Sequence, residues 1–497
     1  MLTMVLLVAA AIGWTLYFGL VLWKANIYWK VRGVNHFKPW PFVGNLARAF
    51  LFNRHISFFY DEIYKAFPKD RMVGMYEFLT PTLILRDPAL VENVLVKEFS
   101  TYPDHGPLFF EPNSISYESV FTISGSRWRG LRNKLLTSFS TGKMKVIFPE
   151  MVQCCQRLVD SDPRKLHKDL LHDFAVKSFM SSMFGTKILP EGEEELIAKT
   201  KEVFQGKPER IVQQIMLTFF PKLADFLNLK FMPKSLDIYF RDLLNTLIEQ
   251  RELSNSKRED YAQVLCDLKK MGKMNVYNRE NNRVDETFEV TNDMVLAQAF
   301  MFFFAGLDST VLLMLHTAFE LSLAKDCQEK ARQEVRSVLK KYGGYSWEAV
   351  REMKYLDQCI QETLRIHPSL QFIIRMSDRD TEIGGVKIKK DTRIIIPLHS
   401  IQMDPTHFPN PDLFDPERFN EPLSSKFIHL PFSEGPRVCL GKRFAIMETA
   451  TIMAHILDNF ELHPSPETKL PFKYEPNAIF HTPISNDEIS VILKRIM

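Results

Sequence analysis

The sequence is poor in cysteine and has no strong excess of charge of either sign. The net charge is +3 over 497 residues, which argues against nucleic acid as a partner. The cysteines show no paired spacing of the kind found in zinc sites or disulfide frameworks, and this pattern fits a reducing compartment. They are Cys154, Cys155, Cys266, Cys327, Cys359 and Cys439.

Recognisable linkers are also missing. After residue 50 the chain has no glycine- or serine-rich tract, internal repeat or long charged block. Length alone would suggest about three domains, because domains usually hold about 100 to 200 residues. Without linkers, we expect one large domain over residues 46–497. Before it we expect a basic, proline-rich hinge over residues 24–45 and a transmembrane anchor over residues 1–23.

The predicted anchor rests on residues 2–23, which contain no charged side chain. A helix of this length would span a hydrocarbon core of about 30 Å. A cleaved signal peptide is the alternative, but it would begin with a basic region, which is missing here. Lys24, Lys30, Arg32 and Lys38 follow the apolar run instead. By the positive-inside rule, the rest of the chain should be cytosolic.

Apolar periodicity predicts a mainly α fold with small antiparallel β-sheets. Val73–Leu85 and Ile383–Ile388 have the pattern of hairpins, and Asp87-Pro88 opens an amphipathic helix. Asn292–Leu323 predicts a long apolar helix. The apolar stretch Phe219–Met232 is either core or a second contact with the membrane.

The segment Phe432–Gly441 contains the most informative residue, Cys439. It places Gly435 and Arg437 before the cysteine and Gly441 after it. Such a loop suits a thiolate that ligates haem iron while backbone N–H groups point at the sulfur. The alternative, an inert buried cysteine, leaves the glycines and the arginine without a role.

This Phe-x-x-Gly-x-Arg-x-Cys-x-Gly pattern resembles the haem-ligand loop of the cytochrome P-450 monooxygenases. Further segments resemble the family's oxygen-binding helix, its Glu-Arg-Arg triad and its Trp-x-x-x-Arg helix, and the resemblance runs from about residue 36 to the C-terminus. These segments are Ala305–Thr310, Glu362 with Arg365 and Arg418, and Trp128 with Arg132. The pattern is most similar to animal microsomal members that handle steroids, xenobiotics and insect toxins.

The resemblance implies the cytochrome P-450 fold and a set of site residues. Cys439 would be the axial ligand of the iron of haem b, and Glu362, Arg365 and Arg418 would form a structural network. The residues expected at the haem propionates are Trp128, Arg132, Arg375 and Arg437. The residues expected to line an apolar substrate pocket are Phe109, Phe110, Phe302, Phe303, Phe304, Phe372, Ile373, Ile479 and Phe480. Of the three consecutive phenylalanines, at most two can face the haem.

Polar residues interrupt the long apolar helix at Asp308, Ser309 and Thr310. A serine hydroxyl can bond to the carbonyl four residues back, here Ala305, and together with Gly306 this should open or bend the helix. We expect Asp308 to relay protons and the two hydroxyls to hold oxygen and water. The family usually has threonine directly after the acid, so Ser309 is a departure.

The resemblance further implies a membrane-bound monooxygenase at the endoplasmic reticulum that uses NADPH electrons from a flavoprotein reductase. A basic patch would form its docking surface: Arg127, Arg129, Lys134, Lys143, Lys145, Lys442 and Arg443. Two alternatives stay open: a haem-thiolate isomerase or dehydratase that needs no reductase, and a haem protein that only sequesters ligands. The substrate is not readable from the sequence.

Overall fold

The computed structural model describes Gly19 and residues 27–46, 55–106, 108, 111–112, 114–186, 190–204, 208–254, 258–277, 284–475 and 489–496. The predicted anchor, apart from Gly19, lies outside these residues, as do Phe109, Phe110, Ile479 and Phe480. The chain divides into two units. The first unit comprises Met1–Gly106, Gln371–Pro409 and Ser424–Arg437, and the second comprises Pro107–Leu370, Asn410–Leu423 and Val438–Met497.

The described chain is mainly helical with small sheets, as predicted. The α-helices in chain order are α1 Ile56–Ala66, α2 Pro88–Glu92, α3 Gly125–Leu136, α4 Thr141–Asp160, α5 Lys168–Phe179, α6 Pro190–Phe204, α7 Pro208–Phe219, α8 Pro221–Phe226, α9 Lys234–Leu253, α10 Tyr261–Met271, α11 Asn292–Leu323, α12 Lys325–Tyr342, α13 Trp347–Glu352, α14 Lys354–Ile366, α15 Leu398–Gln402 and α16 Lys442–Asn459. The strands are β1 Met72–Glu77, β2 Thr80–Leu85, β3 Lys165–His167, β4 Lys273–Tyr277, β5 Val284–Glu289, β6 Ile373–Met376, β7 Thr381–Ile383, β8 Val386–Ile388, β9 Arg393–Ile396, β10 Phe460–Pro464 and β11 Ser490–Arg495.

A four-stranded sheet in the order β1-β2-β9-β6 forms the centre of the first unit. The predicted hairpin is confirmed by β1 and β2, which pair antiparallel from Met72 opposite Leu85 to Glu77 opposite Thr80. Tyr60 and Ile63 of α1 are buried in the same apolar cluster as residues of β1, β2 and β9. The sheet differs from the prediction in one pairing, because β2 and β9 run parallel. They come from distant parts of the chain, so no hairpin dictates an antiparallel pairing.

Two other local predictions in the first unit are confirmed. Strands β7 and β8 form a hairpin whose turn is Gly384-Gly385, and both glycines have positive φ, where a side chain would be strained. Helix α2 begins after Asp87, whose carboxylate accepts the backbone N–H of Ala89 at 2.8 Å. Pro88 then occupies the first turn, where its missing N–H costs nothing.

Helix α11 is the longest element of the second unit and has the predicted bounds. Thr291 caps its N-terminus by accepting the backbone N–H of Met294 at 3.1 Å. The helix packs against α5, α14 and α16. It is the one helix among the described residues that is long and apolar enough to span a membrane, but 78% of its most apolar window is buried inside the protein. It is therefore a core helix.

The second unit also contains two small sheets. Strands β10, β11 and β3 form an antiparallel sheet, and β4 and β5 form a separate antiparallel pair. The predicted single domain over residues 46–497 remains a prediction.

Candidate functional site

The cysteine loop begins in the first unit with two residues of positive φ, Ser433 at 61° and Gly435 at 79°. Glycine is required at position 435 for a second reason, because a Cβ there would lie 2.0 Å from the carbonyl oxygen of Leu95. The glycine of the motif therefore lets two backbone segments pass closely.

Cys439 itself lies in the second unit, directly before α16. The residue as a whole is exposed, but its sulfur lies deep enough among protein atoms for desolvation to raise the pKa of the thiol. The backbone N–H groups of Gly441 and Lys442 donate to the sulfur, and with the charge of Arg132 they act in the opposite direction on this pKa. A sulfur that receives backbone N–H groups suits a bound thiolate.

Trp128 and Arg132 lie one turn apart on α3, and both are buried. A guanidinium N–H of Arg132 donates to the carbonyl oxygen of Val438 at 2.6 Å, next to the cysteine. The guanidinium carbon lies 5.8 Å from the centre of a Trp128 ring. Burial lowers the pKa of Arg132, while the neighbouring Cys439 raises it. The structure thus brings three of the predicted cofactor residues together in the second unit.

Arg375 and Arg437 lie in the first unit, and both are buried. Arg437 pairs with Asp104 at 2.5 Å and donates to the carbonyl oxygen of Pro103. Arg375, on β6, donates to the hydroxyl of Ser433 at 3.4 Å. Burial raises the pKa of Asp104, and the charges of Arg437 and Arg375 act in the opposite direction. Both arginines therefore lie close enough to Asp104 for their charges to affect its pKa.

Glu362, Arg365 and Arg418 form one network in the second unit. Glu362 and Arg365 are fully buried, and the guanidinium donates to both carboxylate oxygens, at 2.7 and 2.8 Å. Arg418 donates to one of these oxygens at 3.2 Å, and the backbone N–H of Asp415 donates to it at 2.9 Å. The bidentate geometry orients the pair and satisfies its buried charges. Nothing in this arrangement calls for a catalytic role.

Asp308 is buried on α11, and one of its carboxylate oxygens lies 2.9 Å from Nζ of Lys168. We did not anticipate this partner from the sequence. Lys168 is the first residue of α5, a position where the helix dipole disfavours a cation. That mismatch is the signal from which a buried anionic partner could have been inferred.

The two hydroxyls beside Asp308 both bond within α11. Ser309 donates to the carbonyl oxygen of Ala305 at 2.7 Å, as predicted, and Thr310 donates to that of Gly306. Every residue of α11 is α-helical, and a bend of the helix at this point stays a prediction. A carbonyl oxygen has two lone pairs, so it can accept a hydroxyl without losing its backbone partner.

The three consecutive phenylalanines of α11 have different surroundings. Phe302 is half-buried and packs against Phe139 and Tyr261, with ring centres 4.9 and 4.7 Å away. Phe303 and Phe304 are buried among other aromatic rings. In the first unit, Phe372 packs edge-on against Tyr60 at 5.0 Å, and Ile373 is buried at the start of β6.

Several residues of the predicted docking patch already have partners. Arg127 pairs with Glu118 at 3.0 Å, and Lys145 pairs with Glu348 at 2.5 Å. Lys442 and Arg443 are exposed at the start of α16, where Arg443 also donates to the carbonyl oxygen of Phe139 at 3.0 Å.

A further buried acid, Glu448, was not predicted. It lies on α16 and accepts the hydroxyl of Ser178 at 2.6 Å. Burial raises the pKa of Glu448 to about 8, so it is largely protonated at neutral pH.

Comparisons with known proteins agree with this arrangement. A family model described as cytochrome P-450 matches residues 35–491. Similar curated proteins include cytochrome P-450 6B7 of Helicoverpa armigera, which is 29% identical over 485 residues and 95% of each chain. Cytochrome P-450 6k1 of Blattella germanica is 31% identical over 90% of this chain and 89% of its own. Cytochrome P-450 6a2 of Drosophila melanogaster is 30% identical over 91% and 92%.

Proposed function

Because the chain belongs to the cytochrome P-450 family of monooxygenases, we propose that it inserts one oxygen atom from O₂ into lipophilic organic substrates of the xenobiotic, steroid or lipid-like kind. The observation that carries this proposal is the sulfur of Cys439, which the backbone N–H groups of Gly441 and Lys442 bond at the start of α16. Electrons would come from NADPH through a flavoprotein reductase.

The side chains proposed to hold the cofactor have the chemistry that haem b requires. Haem, when bound, supplies the binding and activation of O₂, and a thiolate ligand favours that chemistry by donating electron density to the iron. Cys439 is the proposed ligand. Trp128 and Arg132, together with Arg375 and Arg437, are the proposed partners of the two propionates. What supports each assignment taken by itself is the chemistry of the side chain, since a buried guanidinium group suits a carboxylate.

We propose further that Asp308 delivers protons from its place on α11. Its carboxylate can pass a proton inward and be reprotonated on the side of Lys168, whose side chain is 25% exposed. The hydroxyls of Ser309 and Thr310 would orient water. Ser309→Ala combined with Thr310→Ala should raise the peroxide released per NADPH without loss of haem. Unaltered coupling in this double variant would rule the relay out.

A reductase would dock on the exposed basic residues around α3, α4 and the start of α16. Lys442 and Arg443 are exposed directly after the cysteine motif. Complementary charge on an acidic partner would raise the association rate and make it depend on salt.

Product formation separates the proposed function from its alternatives. We expect NADPH consumption and hydroxylated product only when the reductase is present. An isomerase or dehydratase would convert peroxides without reductase, and a sequestering protein would bind ligands without product in either case. Product that is independent of reductase and NADPH would contradict the proposal.

We propose that the protein is bound to the endoplasmic reticulum membrane, with its catalytic part in the cytosol. Support comes from the uncharged residues 2–23 and from the exposed side chains of Phe226 and Leu227, which are 84% and 51% exposed in the middle of the Phe219–Met232 segment.

Vesicle binding tests the second contact. A protein without residues 2–23 should still bind neutral phosphatidylcholine vesicles, and Phe226→Ser should weaken that binding. Leu253→Ser is the control, because Leu253 is 82% exposed on a different helix, α9. The segment would have no specific contact with lipid if both variants lost vesicle binding equally, or if the protein without residues 2–23 did not bind vesicles at all.

A further inference from the structure

Gln298 on α11 is almost completely buried, at 1% exposure, although its carboxamide is polar. Its side-chain oxygen accepts the backbone N–H of Val120 at 2.7 Å. Its side-chain nitrogen donates to the carbonyl oxygen of Glu118 at 2.8 Å and to that of Met294 at 2.7 Å. One main-chain partner is a donor and the others are acceptors, so only one orientation of the amide satisfies them. The glutamine therefore holds a second backbone segment by two hydrogen bonds.

The segment that Gln298 holds comprises residues 114–123, which we call the strap. It consists of turns and bends and contributes no strand to a sheet. Its position therefore depends on side-chain bonds from neighbouring elements. Asp237 of α9 accepts the backbone N–H of Ile115 at 2.8 Å. Glu118 of the strap accepts from Thr291 and Arg127, each at 3.0 Å. Gln298 is almost completely buried, whereas the side chains of Asp237 and Arg127 are partly exposed.

The strap lies beside the parts of the chain to which the proposed function assigns cofactor and substrate. It leads directly into α3, which carries Trp128 and Arg132. Gln298 and Phe302 are four residues apart on α11 and so lie on the same face of the helix. The two hydrogen bonds thus hold the strap relative to the half-buried Phe302. The ring of Phe302 lies 3.5 Å from the position that a Cβ of Gly441, the residue before α16, would take.

We propose that Gln298 is a positioning residue for substrate selection: by holding the strap in one register against α11, it limits the bulk of the lipophilic molecule that can bind. The inference rests on the proposed function and adds to it a residue that sets the size of the accepted substrate. Among the described residues, the hydrogen bonds of the Gln298 side chain go to Val120, Glu118 and Met294, and none of these is a proposed cofactor residue. We therefore expect its effect to be exerted through the strap.

Two substitutions distinguish the effect of the hydrogen bonds to the strap from the effect of the size of the Gln298 side chain. Gln298→Met keeps the length but removes both bonds to the strap. Gln298→Glu keeps an acceptor for Val120 but places a carboxylate oxygen against the carbonyl oxygen of Glu118. The probes are the slim 1-phenylimidazole and the bulky clotrimazole, whose dissociation constants are read from the haem spectral shift. We expect the ratio of the two constants to change by roughly three- to tenfold in Gln298→Met and further in Gln298→Glu.

The chain provides a matched control in Gln328. This residue is also 1% exposed, and its amide makes the same two-point contact with the main chain of Leu462, at 2.9 and 3.0 Å. Gln328→Met should lower the thermal midpoint at least as much as Gln298→Met, because Gln328 also bonds the carbonyl oxygen of Leu321 and the guanidinium of Arg332. It should leave the ratio of the two dissociation constants within about twofold of the parent. A ratio that changes equally in both variants, or in neither, would overturn the proposal.

A separate readout distinguishes failure of this inference from failure of the proposed function. The thiolate-type carbonyl spectrum and reductase-dependent product formation test the function in the parent protein. If the parent shows both the spectrum and the product, an unchanged ratio of dissociation constants in the Gln298 variants contradicts only the proposed role of Gln298. If Gln298→Met does not retain haem, Glu118→Gln weakens the strap from its outer side and should change the ratio in the same direction by a smaller factor. No change there would also contradict the proposal.

Discussion

Single residues in this protein owe their roles mainly to how their charge is buried and balanced. The carboxylate of Glu362 is fully buried and accepts hydrogen bonds from two arginines and one backbone N–H. Spacing along α14 predicts the contact between Glu362 and Arg365, because residues three apart lie on one helix face. Spacing cannot predict the contact between Asp308 and Lys168, since it depends on how α5 packs against α11.

Replacing Glu362 with glutamine should strongly destabilise the protein. The substitution leaves the buried guanidinium of Arg365 without its counter-charge, and breaking a buried pair in this way typically costs about 3–5 kcal/mol. Urea denaturation of the purified protein measures the loss. Glu417→Gln is the control, because its exposed pair with Lys330 should contribute less than about 1 kcal/mol. Similar losses in the two variants would show that the network adds little.

At the scale of elements, α11 shows which sequence patterns predict structure reliably. The long apolar run correctly predicts the bounds of the helix. The hydrogen bond from the hydroxyl of Ser309 to the carbonyl oxygen of Ala305 is also predicted correctly. The expectation was that the helix opens or bends here. The helix is α-helical throughout, because hydroxyl bonds can be added to carbonyls without removing backbone bonds, and the bend stays a prediction. The mixed sheet was missed for a different reason, since the parallel partner of β2 lies about 300 residues further along the chain.

Two glycines in different elements should respond oppositely to the same substitution. A Cβ on Gly306 in α11 would meet the Phe179 ring at 3.4 Å, which is ordinary contact, and alanine favours a helix by about 1 kcal/mol. Gly306→Ala should therefore keep or raise the thermal midpoint. Gly435→Ala should lower it, because φ is 79° and the carbonyl oxygen of Leu95 blocks the Cβ. Equal midpoints would contradict both assignments.

At the scale of the whole molecule, buried titratable groups make stability depend on pH in both directions. Burial lowers the pKa of His455 to about 4, whereas an unfolded histidine titrates near 6.5. As the pH falls from about 6.5 to 4, the unfolded chain takes up this proton first, so acid destabilises the fold. Glu448 has the opposite sign, because its pKa is raised to about 8. Between about pH 4.5 and 8 the folded state keeps a proton that the unfolded chain releases, so stability falls as pH rises.

Glu448→Gln should therefore flatten the loss of stability on the alkaline side. The amide mimics the protonated acid and can still accept from Ser178, so the variant gains stability relative to the parent as the pH rises from 5 to 8. Thermal midpoints across this range measure the difference. Glu417→Gln, whose parent side chain is about half exposed, should show no such trend. A constant difference between Glu448→Gln and the parent at all pH values would mean that Glu448 does not titrate in this window.

The central claim is that the Cys439 thiolate ligates haem iron, and the spectrum of the reduced carbonyl complex tests it most directly. The parent should show the red-shifted Soret band of a thiolate ligand. Cys439→Ser should lose that band, because serine offers no thiolate to the iron. Cys359→Ser, which changes a fully buried thiol on α14, is the control and should keep it. A red-shifted band that persists unchanged in Cys439→Ser would contradict the assignment of the ligand.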